Sequence, residues 1–159
     1  MLYLLFFLDN SRYVIKATDV IEIVPLVKLT SIPRTPDYVA GIFNYRGKAV
    51  PVIDMRHLVS SASSHNIMST RIIMVNYNAE HGERHVLGLL VEHVTDMIYL
   101  NEESFDDPVV RVNQSLQISQ VLTDQSGIIQ KIEIGKALPE QVRNLLFLKD
   151  RKKKISEVT

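Results

Sequence analysis

The chain has 159 residues, 46% hydrophobic and 23% charged, with no cysteine and no tryptophan; this length predicts one domain burying about 70% of its unfolded surface, and the missing cysteine excludes disulfides and thiol catalysis. Its 18 basic and 18 acidic residues cancel, but Lys149, Arg151, Lys152, Lys153 and Lys154 crowd the C-terminus beside only Asp150 and Glu157. The first 148 residues therefore hold 13 basic against 16 acidic side chains, a net charge of −3, which argues against a nucleic-acid binder and its basic face.

In chain order, strand signals dominate. Residues 1–8, MLYLLFFL, are the only stretch with targeting character. They lack a basic leader and a small-residue cleavage site and are too short to span a bilayer, so a buried strand over Leu2–Leu8 in a soluble, cytoplasmic protein is expected. Asp9-Asn10-Ser11 is a turn and residues 12–16 a second strand, together an opening hairpin. Thr18-Asp19 can cap a short turn before the β-branched residues 20–24, where Glu22 is the only charge.

Residues 32–58, IPRTPDYVAGIFNYRGKAVPVIDMRHL, hold three of the six prolines and two of the six glycines. Pro33 and Pro36 lack N–H groups and exclude a central strand there. Gly41 and Gly47 bracket a short strand that ends on Arg46, and Gly47-Lys48 forms a hairpin turn. Residues 49–53 are a second strand, which Pro51 assigns to an edge or bulge. Asp54 can cap a helical turn. An arginine beside a glycine turn at a sheet edge marks a docking surface more than a reaction centre.

Residues 60–69 are a polar loop. A second hairpin follows, from strand 70–77, a turn over 78–83 and strand Arg84–Val91. Residues 94–100 continue with strand character, 101–108 are an acidic loop, 109–112 a short apolar run, 116–122 a strand, Asp124–Gly127 a turn, and 128–134 a half-exposed strand. Pro139 opens a helix with Val142, Leu145 and Leu146 at helical spacing. About ten strands and a repeated hairpin-plus-strand order predict two small barrels sharing one core.

No constellation carries chemistry. His81 and His85 have a metal-binding spacing for a helix but span a turn through Gly82. His57, His65 and His93 lack ligand partners. No serine sits in a nucleophile elbow, and no glycine loop cradles phosphate. Glu102, Glu103, Asp106 and Asp107 lack calcium-loop spacing, and the basic tail lacks an apolar face for lipid. No catalytic residue, metal or cofactor is therefore expected. Glu22 and Arg46 are each a charge in a short strand, which faces solvent or needs a partner; composition alone does not pair them.

Residues 32–56, IPRTPDYVAGIFNYRGKAVPVIDMR, resemble the signature of the CheW-like adaptor family of bacterial chemosensory systems, IP-x-TP-(D/E)-(Y/F)-V-x-G-(I/V)-x-N-x-RG-x-x-(V/L)-PV-(I/V)-D-(L/M)-R, over 25 positions. YVIKATDVIE at 13–22 and GLLVEHV at 88–94 are similar to further family elements. Tyr45 departs from the frequent Leu and Glu92 from the frequent Asp, and the last strand lacks the usual Leu-Asp ending. MLYLLF, STRIIMV and LPEQVRNLLF resemble the CheW-like proteins of Wsp-type surface-sensing pathways.

The resemblance implies an all-β fold with a C-terminal helix: two five-stranded SH3-like barrels around a shared hydrophobic core, one domain over 1–148, with 149–159 a flexible basic tail. It implies a non-catalytic adaptor coupling the cytoplasmic tip of a methyl-accepting chemoreceptor to the regulatory domain of a chemotaxis-type histidine kinase. The alternative is an adaptor that competes with or localises another adaptor. The protein would be cytoplasmic and recruited to membrane receptor clusters, without nucleic acid and without inserting into the membrane. The protein-binding positions carried over are Val20, Glu22, Gly41 and Arg46, joined by Val39, Asn44 and Pro51, with Glu22–Arg46 as a structural salt bridge.

Overall fold

The computed structural model describes residues 1–60, 68–78, 84–110 and 116–147. Among these, ten strands form two five-stranded sheets. One holds β1 (Leu2–Leu8), β2 (Ser11–Lys16), β8 (His93–Tyr99), β9 (Gln120–Asp124) and β10 (Gly127–Lys131) in the order β8-β1-β2-β10-β9. The other holds β3 (Val20–Pro25), β4 (Val39–Tyr45), β5 (Lys48–Asp54), β6 (Arg71–Asn78) and β7 (Arg84–Val91) in the order β3-β6-β7-β5-β4. Two short helices, α1 (Met55–Ser60) and α2 (Glu140–Leu145), complete the elements that position the site.

The sheets repeat one plan. An antiparallel hairpin (β1-β2 or β6-β7) pairs through its second strand, in parallel, with the second strand of another hairpin (β9-β10 or β4-β5). The remaining edge strand comes from the opposite half of the chain: β3 follows β2 but joins β6, and β8 follows β7 but joins β1. Each sheet is closed by one isolated bridge between the segment leaving that edge strand and the opposite edge, Thr30 with Ile42 and Asp106 with Val121. Both bridges are reciprocal, with N···O distances of 2.7–2.9 Å. The repeated hairpin-plus-strand order in the sequence is this plan executed twice.

Alternation along the strands explains their near-continuous apolar runs. Leu4, Phe6 and Leu8 of β1 enter a core shared with Ile73, Val75 and Tyr77 of β6 and Leu87, Leu89 and Val91 of β7. Tyr3 of β1 instead joins Val14, Phe105, Leu122 and Ile129 inside the first sheet. Ile72 and Met74 join Val50, Val52 and Leu90 inside the second. A strand buried on both faces needs no polar face. Each fully buried large side chain contributes about 1.5–3 kcal/mol, so the shared core, which also takes Val142 and Leu146, fixes the barrels against each other.

Several local expectations change. Pro51 lies in an inner strand, because β5 sits between β4 and β7. It is tolerated there because the parallel ladder to β7 begins only at Val52, so the missing N–H falls outside that ladder. Arg46 is in the turn and not in a strand: Tyr45 pairs with Lys48, leaving Arg46 and Gly47 as a two-residue loop with φ of 51° and 89°. Positive φ at both positions is the type I′ geometry that matches strand twist. The strand expected at 116–122 begins at Gln120, since the N–H groups of Gln117 and Ser119 go to carbonyls of Ala137 and Lys131. The next strand ends at Lys131. Pro139 caps α2 instead of opening its first turn, and Leu145 is exposed. Residues 61–67, 79–83, 111–115 and 148–159 lie outside the described residues, and with them fall His65, His81, most of the 60–69 loop and the basic tail.

Candidate functional site

The seam that closes the second sheet carries most of the residues singled out in the sequence. Along β3, Val20, Glu22 and Val24 are half-buried while Ile21 and Ile23 stay exposed. A bulge between Val20 and Glu22 in the pairing with β6 shifts this register. Glu22 therefore turns inward on an edge strand and needs a partner. The β4-β5 hairpin supplies two. Its turn is held by Asn44, whose Oδ1 accepts from Gly47 N at 2.8 Å. This sets Tyr45 and Arg46 beside β3, and Glu22 Oε2 accepts from the Tyr45 hydroxyl and from Arg46 Nη2, the latter at 3.1 Å. The Arg46 guanidinium carbon lies 5.2 Å from the Tyr45 ring centroid, and the Phe43 ring meets Tyr45 edge-on at 6.1 Å. The hydrogen bond to Glu22, with burial second, raises the Tyr45 phenol above its ordinary value against the opposing charge of Arg46.

Gly41 holds the same seam by absence of bulk. It has φ 144°, and a Cβ there would stand 2.7 Å from the Thr30 carbonyl oxygen and 3.0 Å from Leu29 Cβ. Only glycine lets the segment before Ser31 pair with Ile42. The structure thus brings Glu22, Gly41, Asn44 and Arg46 onto one seam. It places Val20 and Val39 against the shared core, and Pro51 opposite Ile42 in β5.

Sequence reasoning missed Tyr45 as a member of the corner, although its departure from Leu was the signal. It also missed the exposed apolar edge of Ile21, Ile23 and Val27.

A second ionic group sits where the sheets meet. Arg56 of α1, with its side chain 15% exposed, lies 3.3 Å from Glu92 and 3.5 Å from Asp9, and Glu92 Oε1 also accepts from Asp9 N at 2.8 Å. It ties the β1-β2 turn of one sheet to the helix that leaves the other. These residues border a cleft of about 600 Å³ with Phe7, His93 and Thr95. A larger cleft of about 1050 Å³ lies on the first sheet among Leu5, Phe7, Val109, Ile118, Val121 and Ile128. Among the described residues, no group of three or more His, Cys, Asp or Glu is placed to hold a metal ion, and no helix is long and apolar enough to cross a membrane. What the corner can do chemically is bind: it offers a cation and an apolar edge on a stiff frame.

Comparison with known proteins agrees with this geometry. The family model described as CheW-like domain matches residues 2–141. The chemotaxis protein CheW of Klebsiella aerogenes is 35% identical over 101 residues, 64% of this chain and 58% of that protein. The CheW protein of Helicobacter pylori is 28% identical over the same extent. The chain thus spans 58% of the length of these two relatives, but 86% of Bacillus subtilis CheW, at 24% identity. The crystal structure of the scaffolding protein TtCheW from Thermoanaerobacter tengcongensis superposes with a TM-score of 0.72 at 28% identity, covering 84% of this chain and 89% of that one.

Proposed function

The chain belongs to the CheW-like domain family, and from that premise we propose that it is a non-catalytic adaptor of a bacterial chemosensory array, coupling the cytoplasmic tip of a methyl-accepting chemoreceptor to the regulatory domain of a chemotaxis-type histidine kinase. The observation that carries this reading is the corner at the second sheet's seam. Backbone geometry brings Glu22, Tyr45 and Arg46 together there, yet the Arg46 side chain stays 75% exposed beside the exposed Ile21 and Ile23. A cation held beside apolar surface on a close-packed scaffold suits docking. The larger, mostly apolar cleft on the first sheet suits a receptor helix. An adaptor of this kind transmits a signal by differential affinity for two receptor states, and no reaction step is required of it. On this reading the chain works in the cytoplasm at receptor clusters, within a Wsp-type surface-sensing pathway, whose CheW-like proteins its MLYLLF, STRIIMV and LPEQVRNLLF stretches resemble.

Reconstitution tests it. Receptor-containing membranes and the kinase from the same genome are assayed for autophosphorylation with and without this chain. The adaptor reading expects receptor-controlled kinase activity only when the chain is present. Binding to the receptor without kinase activation would instead assign it to competing with or localising another adaptor. A diguanylate cyclase response regulator encoded beside it is expected for the Wsp-type placement, and flagellar genes there would contradict that placement.

A further inference from the structure

The two charges at the corner are unequally held. Arg46 has its side chain 75% exposed against 38% for Glu22. Among the described residues its guanidinium donates one hydrogen bond, to Glu22, out of five N–H donors. Glu22 Oε2 accepts two, from Arg46 and from Tyr45, so losing the first leaves the second in place.

We infer that Arg46 is a cation held in reserve for an acidic side chain of the docking partner, and that the Tyr45 hydroxyl keeps Glu22 satisfied when Arg46 turns to that partner. This rests on the adaptor reading of the corner. Recruiting one half of an ion pair ordinarily strands the other, and a part-buried carboxylate left without a donor opposes the recruitment. Tyr45 removes that opposition, whereas a leucine at this position has no hydroxyl to offer. The ring beneath the guanidinium holds it through a weakly directional contact, which permits the arginine to swing. Charge sets the kind of partner. Arg46 and Lys48 flank Gly47, both exposed, against the single carboxylate of Glu22. The corner is thus locally positive on a body whose first 148 residues carry 13 basic and 16 acidic side chains. Arginine pairs with carboxylates in a bidentate fork, and an Asp or Glu projecting from the partner fits it. Tyr45 is then a positioning and specificity residue acting through Glu22.

Two measurements test this. The first needs no partner: the Tyr45 phenol is titrated by tyrosine-labelled carbon NMR in the wild type, Arg46→Ala and Glu22→Gln. The expected result is a phenol that stays raised, and rises further, in Arg46→Ala, because Glu22 is retained and the opposing guanidinium is gone. In Glu22→Gln it falls back. A phenol that returns to its ordinary value in Arg46→Ala would mean that Glu22 departs with Arg46, and would overturn the proposal.

The second is calorimetric titration with the kinase regulatory domain and, separately, the receptor tip from the same genome. Tyr45→Phe is expected to weaken binding of one of them about 3- to 10-fold, the size of one hydrogen bond, and to have no further effect in an Arg46→Ala background. A purely structural role gives the same loss in both backgrounds; that result, or no loss in the wild-type background, overturns the hand-over. Failure of the wild-type chain to bind either partner overturns the adaptor reading and the acidic partner with it, while the phenol titration still decides whether Tyr45 holds Glu22 independently.

Discussion

The two sheets have the same topology, and each anchors a hairpin end with an arginine–carboxylate pair, but the pairs differ in where the arginine lies. In the first sheet, Arg12 of β2 grips Asp124, at the end of β9, with two nitrogens at 3.0 and 2.6 Å. The Arg12 side chain is only 16% exposed, and the pair reaches inward across β10 to a central strand. In the second sheet, Arg46 meets Glu22 through one nitrogen at 3.1 Å, across the seam between the two edge strands, with the arginine outside. A bidentate, mostly buried guanidinium fixes structure. A single bond to an exposed one adds little to stability and leaves the cation available. One fold thus carries an arginine–carboxylate pair in each half, a clamp in the first and, on the reading proposed above, a docking group in the second, and exposure distinguishes them.

The comparison breaks most visibly at Gly41. A side chain at this position meets the Thr30 carbonyl at 2.7 Å and inherits φ 144°, so Gly41→Ala combines overpacking with backbone strain and is expected to cost about 2–5 kcal/mol. Thermal unfolding would show it as a fall of roughly 5–15 °C, and amide exchange at Thr30 and Ile42 should accelerate. Gly127, with φ 119° and no atom within 4 Å of where a Cβ would stand, is the control: Gly127→Ala carries the strain alone and is expected to cost about 1–2 kcal/mol.

Arg12→Ala comes next and separates the clamp from the exposed pair through pH. The Arg12 hydrogen bond holds the Asp124 carboxyl below its ordinary 3.8. A depressed carboxylate contributes stability that is present above its unfolded value and lost as pH falls through its folded value. The stability gap between wild type and Arg12→Ala should therefore be full at pH 7 and close as pH drops below about 3.8. A gap unchanged at low pH would mean that the arginine acts through packing alone. Arg46→Ala should have the smallest effect on stability, under about 1 kcal/mol, as exposed pairs do.

Much of this fold is legible in the residues. The β1-β2 and β9-β10 hairpins follow from apolar runs punctuated by Asp9-Asn10 and Gln125-Ser126-Gly127, and two sheets follow from the repeat of that order. What escapes is three-dimensional. Pro51 looks like an edge residue because its missing N–H excludes a ladder; that β5 is central, with the ladder starting one residue later, depends on where β7 lies. Arg46 looks like a strand residue because few non-glycine residues adopt positive φ, and the Tyr45–Lys48 register that places it in the turn is set by pairing. The Glu22–Arg46 proximity came from the family resemblance, not from composition. The Tyr45 hydroxyl could not be assigned to Glu22 without the bulge in β3 that turns the carboxylate inward.

Arg46→Ala, measured for binding and stability on the same sample, separates the proposed docking role of Arg46 from a folding role. Affinity for the receptor tip or the kinase regulatory domain is expected to fall about tenfold or more, consistent with loss of an interfacial charge, with a melting temperature within about 2–4 °C of wild type. Wild-type affinity for both partners, or a loss of binding matched by a collapse in melting temperature, would contradict it.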